Sequence, residues 1–314
     1  MSFLYKTKAT ELIVQNGRVT GVKATVPSGD FTFNATKGVV IATGGFGASK
    51  ELRQKYNDVG NPPLWGDLSN ALTTNAPGIV GDGIVMAEKV GANLVGMEWI
   101  QLLPMGDPRN GTLSGNIEQG VHDRFFVNKN GDRFVNEGGR RDEMSKALLD
   151  QPDSWMWVIC DSQSYPNPDV TKNNFDETIN GLIAAGRAFG ADTIEELAVK
   201  INVPAANLRR AVDEFNAGVD AKTDRFGRTV WRIKIDKPPY YAGARVPTVH
   251  HTMGGIEINT KAQVINKSGQ IIPGLYAAGE VTGGIHGTNR LGGNALADVH
   301  TFGRIAGINA ASGL

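Results

Sequence analysis

The sequence is poor in the residues that several common kinds of site require. Cys160 is the only cysteine among 314 residues, which excludes an internal disulfide, a cysteine-based metal cluster and a haem-attachment motif. Basic and acidic residues balance at 32 each, and no basic stripe or polybasic run occurs. Nucleic acids and anionic membrane surfaces are therefore poor candidates for partners.

Two further patterns are missing. No run of about 18 apolar residues occurs, so we expect no transmembrane helix, and no signal peptide precedes the first predicted strand. The dinucleotide-binding pattern G-x-G-x-x-G is also absent. If the chain carries a dinucleotide-binding domain, we expect its first βαβ unit, with the pyrophosphate-binding turn, to be missing.

Glycine, in contrast, is abundant. The 40 glycines lie in no low-complexity run, which indicates tight turns around a bound ligand. An apolar run over 38–42 reads as a strand that ends in Gly44-Gly45. A second strand over 274–278 leads into a glycine-rich loop over 279–293, and a helix is predicted from Asn294. Such a helix start directs unpaired N–H groups at a ligand, for which a reduced, anionic flavin ring is one candidate.

Turn signals predict the organisation on either side of these strands. Alternating apolar residues around Asn16-Gly17 predict a β-hairpin over 10–24, followed by a third strand over 30–34. Asn130-Gly131 predicts another hairpin. A capping box at Thr193 opens a pair of predicted helices.

We interpret the middle of the chain as a mostly helical domain inserted into the first. The predicted boundaries are 1–97 for the first part of the outer domain, 98–243 for the inserted domain and 244–314 for the second part. The strand pattern that returns after Pro238-Pro239 sets the last boundary.

Three positions carry positive charge or imidazole without an obvious local partner. His250-His251 lies on a glycine-flanked turn, and Arg290 lies inside the glycine-rich loop, where its planar fork suits a carboxylate. Arg140-Arg141 precedes a predicted helix. The alternative interpretations are a core histidine with its hydrogen bonds satisfied and a solvated helix start capped by Asp142.

Together these motifs resemble the soluble flavocytochrome c fumarate reductase family, which includes urocanate reductase and other enoate reductases. HHTMGG at 250–255 and EVTGGIHGTNRLGGNA at 280–295 carry most of the resemblance. Asn136-Glu137 and Arg141-Asp142 match the family's inserted capping domain, and residues 42–45 match its second flavin-contacting strand. The resemblance covers nearly the whole chain, and the family's N-terminal ADP-binding turn is the part without a match.

The resemblance implies an α/β fold: an FAD-binding domain of the glutathione-reductase type, incomplete at its N-terminus, with an α+β capping domain inserted. The implied cofactor is FAD, and no metal site is expected. The implied cofactor-binding residues are Thr43, Gly44, Gly45, Gly279, Glu280, Asn294, Ala295 and Leu296. The electron donor would be a haem or FMN domain, or NADH, outside this chain. We expect a cytoplasmic location, with the periplasm as the alternative.

The resemblance also implies a mechanism. His250 and Arg290 would clamp the substrate carboxylate and stabilise the enolate-like charge that develops there, with His251 as a further substrate-binding residue. Flavin N5 would deliver a hydride to the β-carbon, and Arg141 would donate a proton to the α-carbon. Because the reference pKa of arginine is above about 12, a relay must return the proton quickly, and Glu118 is expected to serve there.

Departures from the family pattern indicate the substrate. Leu103 stands where fumarate reductases have a histidine and urocanate reductases a tyrosine, and Ile117 replaces a hydroxyl residue. With Met105 these side chains predict an apolar far end of the pocket, where a second carboxylate would be costly to bury. We expect an enoate with one carboxylate and a small or apolar tail. The family's relay arginine is out of register, and Arg124 is the substitute available.

Two alternatives to this reductase remain. The chain could be a non-catalytic part of such a flavoprotein that does not hold FAD on its own. It could also act on ketosteroids as a dehydrogenase, although a steroid ketone needs no carboxylate clamp at His250 and Arg290.

Overall fold

A computed structural model of the protein describes residues 2–59 and 63–313. Within these ranges no helix combines the length and the apolar character needed to cross a membrane. The strands are β1 (Lys8–Gln15), β2 (Arg18–Val26), β3 (Gly29–Asn34), β4 (Val39–Ile41), β5 (Leu72–Thr73), β6 (Leu94–Val95), β7 (Ile100–Gly106), β8 (Phe125–Asn128), β9 (Met156–Asp161), β10 (Phe189–Ala191), β11 (Tyr240–Thr252), β12 (Gly255–Ile256), β13 (Gln263–Ile265) and β14 (Ile271–Ala277). The helices are α1 (Lys50–Asn57), α2 (Asp82–Lys89), α3 (Arg141–Leu149), α4 (Ile179–Ala184), α5 (Ile194–Lys200), α6 (Ala205–Ala221) and α7 (Asn294–Ser312).

These elements form two compact units. The first unit comprises Met1–Asn70, Asn75–Gln101 and His250–Leu314, and the second comprises Ala71–Thr74 and Leu102–Val249. Each unit combines helices with sheets, in agreement with the α/β class predicted from the sequence.

The first unit contains the predicted hairpin. Strands β1 and β2 pair antiparallel, and β3 continues the sheet along the other edge of β2. Asn16 and Gly17 form the two-residue connection with φ angles of 50° and 76°. Positive φ at both positions is what a type I′ turn requires, and Asn-Gly supplies it at little cost. The hairpin and the third strand are confirmed.

A second sheet of the first unit brings two glycine turns side by side. Strand β14 pairs parallel with β4, so that Tyr276 lies opposite Val40 and Ala277 opposite Ile41. The carboxyl ends of adjacent parallel strands meet at one edge of the sheet, where α/β folds bind their ligands. The turns that follow the two strands, at 42–45 and 278–280, are therefore neighbours.

Helix α7 follows the second of these turns and is only partly covered. Its buried side chains Ala306 and Ala310 pack with Tyr276 in a small core cluster. Leu296 and Val299, in contrast, are 66% and 43% exposed. The predicted helix start at Asn294 is confirmed, and α7 leaves several large apolar side chains exposed.

The second unit is built on a sheet, and the prediction of a mostly helical domain is wrong. Strands β10, β11, β9 and β8 lie in that order, and β5 and β7 also pair with β11. All six residues of β9 are buried, with the sequence MWVICD. A short, continuously apolar run of this kind lacks the alternation that identifies a strand, and periodicity alone does not separate it from a buried helix.

The hairpin predicted at Asn130-Gly131 is also wrong in part. The turn exists, since the N–H of Gly131 donates to the carbonyl of Asn128 at 3.0 Å. Residues 132–137 form no strand, however, and β8 pairs with β9 instead. The Asn-Gly signal reports local turn geometry and says nothing about which strand the chain pairs with afterwards.

The pair of helices predicted after Thr193 is present in the second unit. The hydroxyl of Thr193 caps α5 and accepts from the N–H of Glu196 at 3.2 Å. Helix α6 follows with Pro204 at its N-cap position, one residue earlier than a first-turn proline. Leu197 of α5 and Phe215 of α6 are fully buried in the main core cluster.

Removing Phe125 from this core should destabilise the protein strongly. Its ring is fully buried and stacks on Phe215 with centroids 5.0 Å apart. We expect Phe125→Ala to lower the free energy of unfolding by about 3–5 kcal/mol in denaturant titrations. Val199→Ala, at a side chain 78% exposed in α5, should change it by less than about 0.5 kcal/mol. Similar costs for both variants would contradict this packing.

Candidate functional site

Three residues of the first unit meet at the two glycine turns. The Glu280 carboxylate accepts hydrogen bonds from the N–H of Thr252 at 3.0 Å and from its hydroxyl at 3.3 Å. Gly45 lies against this pair, because a Cβ atom there would be 2.0 Å from Thr252 Oγ1 and 2.6 Å from Glu280 Oε1. Only glycine fits at this approach, which gives a physical reason for the Gly44-Gly45 motif.

The same carboxylate also binds His251. The distance from His251 Nδ1 to Glu280 Oε2 is 3.2 Å, and the imidazole is buried. Burial raises the pKa of Glu280, but hydrogen bonds from His251 and Thr252 more than offset this and leave that pKa below its usual value. Among the described residues, the buried His251 Nε2 has no hydrogen-bond partner.

A second histidine pair lies beside the first. His286 Nε2 is 3.2 Å from Asp298 Oδ2, and the His286 ring meets the His251 ring edge to face with centroids 5.3 Å apart. Sequence reasoning missed Asp298, which lies one turn into α7. Its spacing of 12 residues from His286 falls in no short motif that could have identified it.

The start of α7 fits an electron-rich ring. Gly293 precedes the helix with φ of 84°, and no atom lies within 4 Å of the place where its Cβ would be. Asn294 and Leu296 are exposed, so the N-terminal end of this 19-residue helix, with its positive dipole end, lies at the surface. A flavin ring that becomes anionic on reduction is complementary to such a helix end. The predicted cofactor residues thus lie at the two glycine turns and at the start of α7, all within the first unit.

The predicted carboxylate clamp belongs to the same unit. Arg290 is buried, and its Nη2 donates to Gln101 Oε1 at 3.3 Å while Gln101 Nε2 donates to the Arg290 carbonyl at 2.7 Å. Gln101 Nε2 also reaches Asn289 Oδ1 at 2.6 Å. The carbonyl of His250 accepts from Asn75 Nδ2 at 3.4 Å. Gln101 therefore orients Arg290. The sequence does not predict this role, because Gln101 lies in an otherwise apolar run.

The second unit contains a pocket of about 350 Å³. Its lining combines apolar side chains with a cluster of charged ones. The lining residues are Leu103, Met105, Leu113, Asn116, Glu118, Val121, Arg124, Glu137, Gly138, Gly139, Arg141, Met144, Asn174 and Phe175.

One wall of this pocket is apolar, as the departures from the family pattern predict. Leu103 and Met105 of β7 line it. Ile117 does not line the cavity: it is fully buried and packs in the same core cluster, with its methyl carbon Cγ2 3.0 Å from the place where a Gly243 Cβ would lie. Ile117 thus supports the wall from behind.

Another part of the lining carries charge. Arg124 Nε forms an ion pair with Glu118 Oε2, so the structure brings this arginine to Glu118 despite its shifted register. Arg141 is the first residue of α3. Burial lowers the pKa of its guanidinium, and the attraction of Glu118 opposes that change. Arg141, Glu118 and Arg124 therefore form a short series of ionisable groups along one pocket.

Neighbouring Arg140 behaves differently. Its guanidinium is exposed and binds Asp142 with both Nε and Nη2, at 3.1 Å and 2.7 Å. The solvated helix start that the sequence offered as an alternative thus describes Arg140, but the predicted cap is wrong: the Arg140 N–H donates to Glu143 at 3.2 Å, not to Asp142. Across the described residues no cluster of histidine, cysteine, aspartate or glutamate has the arrangement of a metal site.

Comparison with known proteins agrees with this geometry. NADH:acrylate oxidoreductase of Vibrio harveyi is 47% identical over 307 residues, which are 97% of this chain and 30% of that protein. The open conformation of a flavocytochrome c3 fumarate reductase superposes with a TM-score of 0.76 at 36% identity, over 98% of this chain and 52% of that one. A 3-ketosteroid Δ1-dehydrogenase of Sterolibacterium denitrificans has a TM-score of 0.73 at 27% identity, over 98% and 59%.

These coverages show that the chain spans between 30% and 59% of the length of these relatives. The family described as FAD binding domain matches residues 1–296, which include the glycine turns, His251 and Glu280, and the start of α7. FAD is accordingly the cofactor of this fold, and the sequence-based prediction of FAD is confirmed. The chain belongs to the FAD binding domain family.

Proposed function

We propose that this chain is the flavin- and substrate-binding part of a reductase that saturates the C=C bond of a 2-enoate with one carboxylate. The apolar wall of Leu103 and Met105 in the pocket that also holds Arg141 is the observation that carries this proposal. A second carboxylate against that wall would lack partners, whereas a hydrogen or a small apolar tail would not. The printed name of the Vibrio relative, an acrylate oxidoreductase, supports the same substrate class.

Each charged group then has a chemical role. When bound, FAD supplies the hydride. His250 and Arg290 hold the carboxylate, and their positive charge stabilises the negative charge that develops on it as the β-carbon is reduced. Arg141 donates the proton that the α-carbon needs to complete the saturated product.

A proton must return to Arg141 after each turnover. Glu118 is the carboxylate whose attraction acts on the Arg141 guanidinium, and it is also paired with Arg124. We propose that Glu118, whose side chain is 21% exposed, passes a proton to Arg141 and that buried Arg124 keeps Glu118 in place. The charged groups of the pocket would thereby serve as the relay that an arginine acid requires.

Electrons must come from elsewhere. A haem or FMN domain, or NADH, is the proposed donor, and the relative's name, which includes NADH, favours the last. The cytoplasmic location stays a prediction.

Two other candidates are weaker. The ketosteroid dehydrogenase shares the fold at lower identity, 27% against 36% for the fumarate reductase, and such a substrate would leave the clamp unused. The other candidate is that the chain works only inside a longer protein, and the cofactor experiment below decides between this and independent function.

The purified chain should retain FAD through its glycine-lined surface. After addition of FAD and desalting, we expect a visible flavin band in the wild type and its loss in Gly45→Val, because the new side chain would displace Thr252 and Glu280. Gly303→Ala, at an exposed position of α7 with open space around it, is the control and should retain the band. A wild type without flavin would instead favour a part that binds cofactor only within a longer protein.

Substrate discrimination tests the apolar wall. With a reduced dye as donor, we expect kcat/KM for acrylate to exceed that for fumarate by at least about 100-fold, since an unpartnered buried carboxylate costs several kcal/mol. Leu103→His should raise fumarate turnover, and Met105→Leu, which keeps the wall apolar, should not. Comparable turnover of both substrates by the wild type would contradict the proposal.

Arg141 and Arg140 are a matched pair for the proton-transfer role. Arg141→Met should lower kcat about 10²–10⁴-fold, the usual loss for a general acid, while equilibrium binding of the saturated acid stays close to wild type. Arg140→Met should leave kcat unchanged, because its guanidinium binds Asp142 outside the pocket. Equal losses in both variants would assign the effect to the helix start rather than to proton donation.

A further inference from the structure

The second unit holds a network of alternating charges that begins at the charged residues of the pocket lining. Four arginines and four carboxylates take part, so the network is balanced. Its members are Glu118, Arg124, Arg133, Glu137, Glu214, Asp224, Arg225 and Arg228, of which Glu118, Arg124 and Glu137 line the pocket.

Glu137 is the centre of this network. Its side chain is fully buried, as are those of Arg133 and Arg228. Arg133 binds both carboxylate oxygens at 3.0 Å, and Arg228 Nη1 binds Oε2 at 2.8 Å. A buried carboxylate needs such partners, because desolvation of an unpaired charge is costly.

Arg228 also reaches beyond Glu137 to the backbone of the pocket wall. Its Nη1 donates to the carbonyl of Arg124 at 3.0 Å and its Nη2 to the carbonyl of Val121 at 2.5 Å. Those carbonyls lie at the two ends of one turn, a 3₁₀ helix over Val121–Asp123 and the residue that follows it. One rigid guanidinium therefore fixes both ends of the turn.

This turn determines where the Arg124 side chain points. Arg124 pairs with Glu118, donates from Nη1 to the carbonyl of Glu137 at 3.3 Å, and lies 4.3 Å from the centre of the Phe126 ring. A shift of its backbone would move the guanidinium away from Glu118. Glu137 also precedes the Gly138-Gly139 segment that leads into Arg141, so the network adjoins both ends of the relay.

We infer that Arg228 is a positioning residue for proton delivery: it holds the 121–124 turn so that Arg124 stays paired with Glu118. The inference rests on the proposed function for its link to catalysis. Arg228 is not among the residues that line the pocket, so it acts through Arg124. Lysine cannot replace it, because a single ammonium cannot bind Glu137 and both carbonyls in the geometry of a planar fork.

The first test uses the full chain without any assay of turnover. In protein labelled with ¹⁵N-arginine, the Nε–H signal of Arg124, identified by its absence in Arg124→Lys, should exchange slowly with water. In Arg228→Lys the Arg124 Nε–H should exchange with water as fast as the Nε–H groups of exposed arginines. Circular dichroism and the melting curve should show that the variant is folded. Arg209→Lys is the control, since Arg209 pairs only with exposed Glu195, and should leave the Arg124 signal unchanged.

The second test uses the chain loaded with FAD. Arg228→Lys should lower kcat roughly 10- to 100-fold, the effect of a misplaced catalytic group, with KM unchanged and a larger solvent deuterium isotope effect. A purely structural role would change the amount of active protein but not the isotope effect.

The outcomes separate this inference from the proposed function. A wild type without reductase activity would count against the proposed function, and the Arg124 signal would still decide the positioning role. If the Arg124 signal stays protected from exchange in folded Arg228→Lys, the inference is overturned. It is also overturned if the signal loses its protection while kcat is unaffected. If Arg228→Lys does not fold, Trp231→Phe replaces it: this variant removes the indole N–H that donates to the Arg228 carbonyl at 2.8 Å and should weaken the protection in the same direction.

Discussion

The second unit depends on a buried network in which each charged group has a partner of opposite sign, with Glu137 at its centre. Glu137 has no contact with solvent, and its two arginine partners are equally buried. Such a network contributes little net stability compared with an apolar core of the same size. It can do what an apolar core cannot, which is to fix carbonyl groups and guanidinium groups at defined angles. The loop that carries Arg124 and the loop that leads into Arg141 both begin at this network, so the network sets the geometry of the ionisable wall.

The first unit positions its groups with the same precision, but it does so with glycine, which has no side chain. Gly45 allows the backbone after β4 to approach the Thr252–Glu280 pair more closely than any side chain would permit. Glu280 in turn binds His251, and the ring of His251 contacts that of His286. The absence of a Cβ atom at Gly45 thus determines where the imidazoles of His251 and His286 lie. This dependence explains why glycine and histidine motifs occur together in a chain that is otherwise unremarkable in composition.

Much of the first unit could be predicted from the sequence, because its signals are local. Asn16-Gly17 specifies its turn through backbone torsion angles, and the helix at Asn294 follows from a glycine pair and apolar spacing. In the second unit, β9 and β11 pair across about 80 residues of chain, and no local pattern identifies such a partner. Arg124 illustrates the same limit at the site: its register departs from the family pattern, and the 3₁₀ turn before it brings the side chain to Glu118. The ion pair of Arg228 with Glu137, 91 residues apart, has no signature in sequence at all.

The uncovered surface of α7 has a practical consequence. Leu296, Val299 and Ile308 leave apolar area in water, and β4, at the edge of its sheet, has a further exposed side chain in Val40. Apolar surface next to an unpaired strand edge promotes self-association. Preparations of this chain will therefore be sensitive to protein concentration, and light scattering should be monitored before any spectrum is interpreted. A turbid sample would raise the apparent absorbance across the visible range and imitate bound pigment where there is none.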